Sequence, residues 1–162
     1  RGNVFNLLRS ISSGRFVMIG PGTNRKSMAY VENVAAFLHY AAGFDPGVRL
    51  FNYVDKPDAT MNELVSRVRQ TLFGKPGVGP RVPIWLGLVL GTAADQVARL
   101  TGKTFPISAI RVRKFIATTA FVSAADTVPG FSPVCSLAEG LAVTIEREFL
   151  EPDPTAPVFY TE

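Results

Sequence analysis

The stretch "GRFVMIGPGTNRKSMAYVENVAAFL", Gly14 to Leu38, decides how the chain is read. "RFVMIG" is a short apolar run that reads as a buried strand ending at Gly20. "PGTN" is a turn, because Gly and Asn tolerate the backbone conformations a tight reversal needs. "SMAYV" reads as a second short strand, and Val34, Phe37, Leu38 and Ala41 then keep a helical period up to Gly43. A glycine turn followed by the basic pair Arg25–Lys26 suggests a bound phosphate.

The chain has 162 residues, of which 47% are hydrophobic and 19% charged, enough for one globular domain with a real core. Seventeen Lys and Arg stand against thirteen Asp and Glu, and the net charge of +4 is too mild and too dispersed for a nucleic-acid binder. It favours a small anionic ligand. Cys135 is the single cysteine, so no internal disulfide or cysteine metal cluster can form, and a reduced cytoplasmic setting is expected. The chain opens on Arg1 in a helical pattern with no signal peptide, and we expect a piece of a longer protein.

Outward from the opening stretch, Val4, Leu7, Leu8 and Ile11 fall on one helical face that stops at Gly14. "VRLFNYV" (Val48 to Val54) reads as a third strand. Thr60 and Glu63 form a capping box for a helix carrying Leu64, Val68 and Leu72 inward and ending near Gly74. A helix is expected from Pro83 to Leu100, a shorter one after Pro106, a brief strand in "ATTAFV", a small helix in "SAADTVPGF", and a last helix capped by Ser136. Residues 1–150 form one unit; 151–162, with three prolines, read as an extended, mobile tail. Helices alternating with short strands define a mixed α/β class.

Several lookalikes fail. "GPGTNR" begins like a dinucleotide fingerprint, but Arg25 stands in place of the third glycine and a strand, not a helix, follows. "TGKT" resembles the end of a phosphate loop, yet Val97 occupies the glycine position five residues before Gly102. His39 is the only histidine, which argues against a histidine-based triad or a histidine-rich zinc site. "IWLGLVLGTAA" (Ile84 to Ala94) is strongly apolar but about half the length of a bilayer span. It reads as a core helix, with a membrane surface or a dimer face as the alternatives. Arg111, Arg113 and Lys114 make a second basic cluster.

In order, these pieces resemble the C-terminal half of extended short-chain dehydrogenases: nucleotide-sugar 4-epimerases and dehydratases, and 3β-hydroxysteroid dehydrogenases. The likeness rests on the "G-x-G" turn, "YVENVA", the "FN-aromatic" strand, "TMNEL", and the closing "GFSPVCSLAEGLAVTIERE" (Gly130 to Glu148). It covers Asn3 to about Phe149. It implies the substrate-binding lobe of a Rossmann-type enzyme. The NAD(P)-binding lobe, with its glycine fingerprint and Tyr-x-x-x-Lys pair, is not in this sequence: four residues after Tyr30, Tyr40 and Tyr53 come Val34, Phe44 and Pro57. The chain alone is therefore expected to be inactive, to bind NAD negligibly and either to self-associate or to expose a large apolar face, with the Pro83 to Leu100 helix as the candidate contact.

By the resemblance, Asn3 donates to a substrate pyrophosphate, Phe16, Val17 and Ile19 pass the uracil or thymine ring, and Lys26, flanked by Arg25, clamps the phosphates together with Arg113. Lys26–Ser27 departs from the Arg-Asp of many relatives, and a lysine gives a point charge in place of a planar fork. The implied substrate is a UDP- or dTDP-sugar, and a homodimer is an expected assembly. A hydroxysteroid-type oxidoreductase and a non-catalytic regulatory relative are the alternative readings.

Overall fold

The computed structural model describes residues 2–103, 105, 107–123 and 126–155. Among the described residues the helices are α1 (Asn3–Ser12), α2 (Val31–Ala41), α3 (Met61–Phe73), α4 (Ile84–Thr101), α5 (Ala109–Ile116) and α6 (Leu137–Ile145), the last running on into a π-helical turn at Glu146–Leu150. The described residues also form two-residue strands: β1 (Met18–Ile19), β2 (Arg25–Lys26), β3 (Ala59–Thr60) and β4 (Arg81–Val82). The mixture of helices with a little sheet agrees with an α/β class.

Local chemistry sets the helix ends. Thr60 Oγ1 accepts from the Glu63 amide while Glu63 reaches back to the Thr60 amide, and Ser136 and Glu139 repeat this box at α6. Gly74 and Gly102 close α3 and α4 in the left-handed conformation that glycine adopts without steric cost.

The main core gathers Leu8 and Ile11 from α1, Phe16 and Met18 at β1, Met61, Leu64, Val65 and Val68 from α3, and Leu141 and Ile145 from α6. α4 and α5 pack on each other and reach the core through β1. β1 pairs in parallel with β4, Met18 opposite Arg81 and Ile19 opposite Val82. β2 pairs antiparallel with β3, and Lys26 also bridges to Thr119 in parallel.

The strand expectations change in three places. The second strand is Arg25–Lys26, not "SMAYV", because Tyr30 already caps α2. The "ATTAFV" stretch contributes a single bridge at Thr119. Val48 to Val54 pairs with no described strand. It is held by rings, with Phe51 and Tyr53 packed 5.4 and 5.1 Å from Phe37, while Val48 and Leu50 point outward. The expected small helix at "SAADTVPGF" and the tail beyond residue 155 fall wholly or partly outside the described residues.

Candidate functional site

The Gly20–Pro21–Gly22 turn joins β1 to the approach of β2, with φ of 77° at Gly20 and 69° at Gly22. Arg81, opposite Met18 on β4, donates Nη1 to the carbonyls of Gly20 (3.0 Å) and Pro21 (2.6 Å) and Nη2 to Asn62 Oδ1 (3.0 Å). Asn62 Nδ2 donates to the Pro21 carbonyl at 2.9 Å. A Cβ on Gly22 would lie 2.2 Å from Asn62 Oδ1, so the concave side of the turn is already filled by protein. That is not how a dinucleotide turn is built, where glycines leave room for the pyrophosphate. Beside the turn lies a pocket of about 740 Å³ lined by Arg81, Val82, Pro83, Ile84, Trp85 and Leu88. It pairs one guanidinium and the start of α4, whose first N–H groups favour an anion, with an apolar wall.

The two basic clusters meet. Lys26 Nζ donates to the carbonyls of Lys114 (2.9 Å) and Ala117 (2.6 Å) and lies 3.4 Å from Thr119 Oγ1. It therefore caps the C-terminus of α5, the helix that carries Arg113. Burial holds the Lys26 ammonium below its ordinary pKa. Its donors are taken by protein oxygens, and a phosphate would have to displace one. Arg25 is exposed and donates Nη1 to the Asp58 carbonyl at 2.9 Å. The Asp58 carboxylate accepts from Ser27 Oγ (2.6 Å) and Lys56 Nζ (2.9 Å). Desolvation opposes its ionisation, yet these hydrogen bonds hold its pKa below the usual carboxylate value.

Arg113 is exposed in the last turn of α5. Asn3 is exposed at the start of α1, which packs on α3. Phe16 is a core residue, tilted against Phe115 with centroids 6.0 Å apart. Ile19 packs on α4, its Cγ2 only 2.7 Å from where a Gly87 Cβ would stand. Val17 is exposed. The structure thus brings Arg25, Lys26 and α5 together and turns Phe16 and Ile19 inward.

One polar constellation escaped the sequence reading. Asp55, buried, accepts from the Tyr30 amide (2.6 Å), Asn33 Nδ2 (2.9 Å) and the Tyr53 hydroxyl (3.0 Å). Asn33, also buried, donates Nδ2 to the Cys135 carbonyl at 2.8 Å, and its Oδ1 accepts from the amides of Val134 (2.9 Å) and Cys135 (3.1 Å). Desolvation first, then the Asp55 hydrogen bond, pushes the Tyr53 phenol well above its ordinary pKa. Burial likewise raises the Cys135 thiol, which makes it a poor nucleophile. A signal existed: Asn33 lies three after Tyr30 and four before Phe37, on the apolar face of α2, where an amide needs partners.

No protein-family signature matches the chain. It is 41% identical over 167 aligned residues to the N-acetyl-alpha-D-glucosaminyl-diphospho-ditrans,octacis-undecaprenol 4-epimerase of Escherichia coli O157:H7, an alignment that takes in all of this chain and 49% of that protein. It is 29% identical over 151 residues to the uncharacterized protein y4nL of Sinorhizobium fredii (strain NBRC 101917 / NGR234), covering 85% of this chain and 40% of that protein. The chain is thus a homologue of an epimerase, and it spans about half the length of the curated relatives it matches.

Proposed function

We propose that this chain is the substrate-holding lobe of an NAD(P)-dependent 4-epimerase of the extended short-chain dehydrogenase type, acting on a sugar diphosphate. The observation that carries this reading is the 41% identity along the whole chain to an enzyme named as a 4-epimerase of a diphospho-undecaprenol-linked sugar. The nicotinamide dinucleotide and the tyrosine–lysine base are assigned to sequence outside this chain, since the Gly20–Pro21–Gly22 turn is filled by Asn62 and no tyrosine here is followed four residues on by a lysine. Arg81, Arg113, Arg25 and Lys26 are the cations we assign to the diphosphate.

The apolar wall formed by Val82, Ile84, Trp85 and Leu88 next to Arg81 favours an isoprenoid-linked diphosphate over a nucleotide. A nucleobase would want polar partners there. Calorimetric titration of the protein with N-acetylglucosaminyl diphosphate carrying a short prenyl tail, and separately with UDP-N-acetylglucosamine, tests both points. The prenyl compound should bind more tightly. Arg113→Ala should weaken it about tenfold or more, the worth of one charge-assisted contact. Tighter binding of the nucleotide sugar would return the substrate to that class. Absence of binding by both would overturn the reading.

A further inference from the structure

α5 ends without the device that ends its neighbours. α3 and α4 stop on Gly74 and Gly102 in the left-handed conformation. α5 has only eight residues and runs out through Ala117, extended at φ −69° and ψ 143°. A helix this short keeps its shape through what packs on it, and its last carbonyls have no partner inside the helix. Those carbonyls are met from the approach to β2, about 90 residues earlier in the chain. Asn24 Nδ2 donates to the Phe115 carbonyl at 2.8 Å and to the Ala117 carbonyl at 3.2 Å. Lys26 Nζ takes the carbonyls of Lys114 and Ala117. Both partners of Asn24 are acceptors, so only the NH2 end of its amide can face them, with one proton for each.

Asn24 is itself held. Its carbonyl accepts from the Met61 amide at 3.0 Å, and the Gly22 carbonyl accepts from the Asn62 amide at 2.9 Å. On the other side the Arg25 amide reaches Thr118 Oγ1 at 3.4 Å, and the Arg25 carbonyl accepts from the Thr119 amide at 2.9 Å. Residues 22–25 are thus pinned between the start of α3 and the exit of α5.

The last turn of α5 carries Arg113. Arg111 turns back on the Phe105 carbonyl at 3.0 Å, whereas Arg113 is exposed and has no protein partner among the described residues. A helix C-terminus is a poor place for an anion, because its open carbonyls carry about half a negative charge. The Asn24 amide and the Lys26 ammonium offset that charge and fix the backbone from which Arg113 projects.

We propose that Asn24 is a positioning residue for Arg113: through the Phe115 and Ala117 carbonyls it sets the last turn of α5 so that the guanidinium meets a sugar-linked diphosphate. The proposal rests on the preceding reading, in which Arg113 is a cation of that diphosphate.

A double-mutant cycle tests it, read by calorimetric titration of the protein with N-acetylglucosaminyl diphosphate carrying a short prenyl tail, each variant kept below its own melting transition. Asn24→Ala should weaken binding about fivefold, inside the range of coupling between residues of one network. In an Arg113→Ala background the same change should leave binding nearly unaltered. Should Asn24→Ala fail to fold, Asn24→Ser, which keeps one hydroxyl donor, carries the same cycle with the same expectation. A residue that only supported the fold would weaken binding by the same factor in both backgrounds, and that result would overturn the proposal. So would parent-like binding by the Asn24 variant alone. In both cases an Arg113→Ala loss would leave the preceding reading standing. Parent-like binding by Arg113→Ala, or no binding by the parent, would overturn that reading and the proposal with it.

Discussion

Asn33 donates to Asp55 across 2.9 Å of protein interior, and the pair ties α2 to the chain at residues 53–55 and at 134–135. Asp55 also receives the Tyr30 amide and the Tyr53 hydroxyl. Removing the carboxylate strands three donors in a dry site. Asp55→Ala should cost about 3 kcal/mol or more, seen as a lower denaturant midpoint at unchanged slope. Asn33→Leu should cost a similar amount, because it exposes no new surface yet leaves the Val134 and Cys135 amides unpaired. A loss under about 0.5 kcal/mol in both would show the network to be peripheral.

The same network sets an alkaline limit. The Tyr53 phenol is held protonated by desolvation and by its bond to Asp55, so its folded pKa lies above the ordinary 10.0. A raised folded pKa means that the folded state keeps its proton more tightly than the unfolded state. That contribution is complete below pH 10 and is lost as pH climbs toward the folded value. Tyr30 is shifted in the same direction, again first by burial. Denaturation followed above about pH 10 should show stability falling. Tyr53→Phe should flatten part of that fall while lowering stability at neutral pH by about 1 kcal/mol for the lost hydrogen bond.

Lys26 acts on a helix 83 residues or more further along the chain. Its ammonium closes the C-terminus of α5 on the carbonyls of Lys114 and Ala117, where a cation also meets the negative end of the helix dipole. Lys26→Met keeps the apolar stem and removes the donors, and should cost about 1 to 2 kcal/mol with easier proteolysis after residue 117. Lys26→Arg should recover most of this. A melting temperature unchanged in Lys26→Met would remove the capping role and leave the ammonium for phosphate.

What could be read from the sequence was what is local. The box at Thr60 and Glu63 spans four residues, and the Gly74 stop follows directly, so α3 was legible to within a residue. α4, expected from Pro83 to Leu100, forms at Ile84–Thr101 although no side chain caps its start. The strand expected at Val48 to Val54 was not formed, because a strand needs a ladder partner and the sequence shows only the alternation. Phe51 and Tyr53 serve Phe37 as packing, whatever the backbone does. The basic residues were found, but not that Lys26 and α5 touch, nor that Arg81 serves the glycine turn. Those contacts join segments about 60 to 90 positions apart, which no period in the sequence encodes.

Gly91 gives the sharpest packing test. In an exposed helix Gly→Ala is worth up to about 1 kcal/mol in favour of folding. Here the added methyl would meet the Ala109 nitrogen at 2.7 Å and the Ser108 carbonyl carbon at 2.8 Å, and both are backbone atoms that cannot swing aside. α4 and α5 must separate, so Gly91→Ala should destabilise by about 1 to 3 kcal/mol despite the better propensity. Gly87→Ala meets only the Ile19 side chain and should cost less. The order matters more than either value: chemical denaturation should rank parent above Gly87→Ala above Gly91→Ala. Because the glycine contacts fix how α4 is rolled, Gly91→Ala should also change the emission of Trp85, six residues earlier on the opposite side. If Gly91→Ala instead stabilised the protein and left that emission unchanged, α4 would not be pressed against α5 as described.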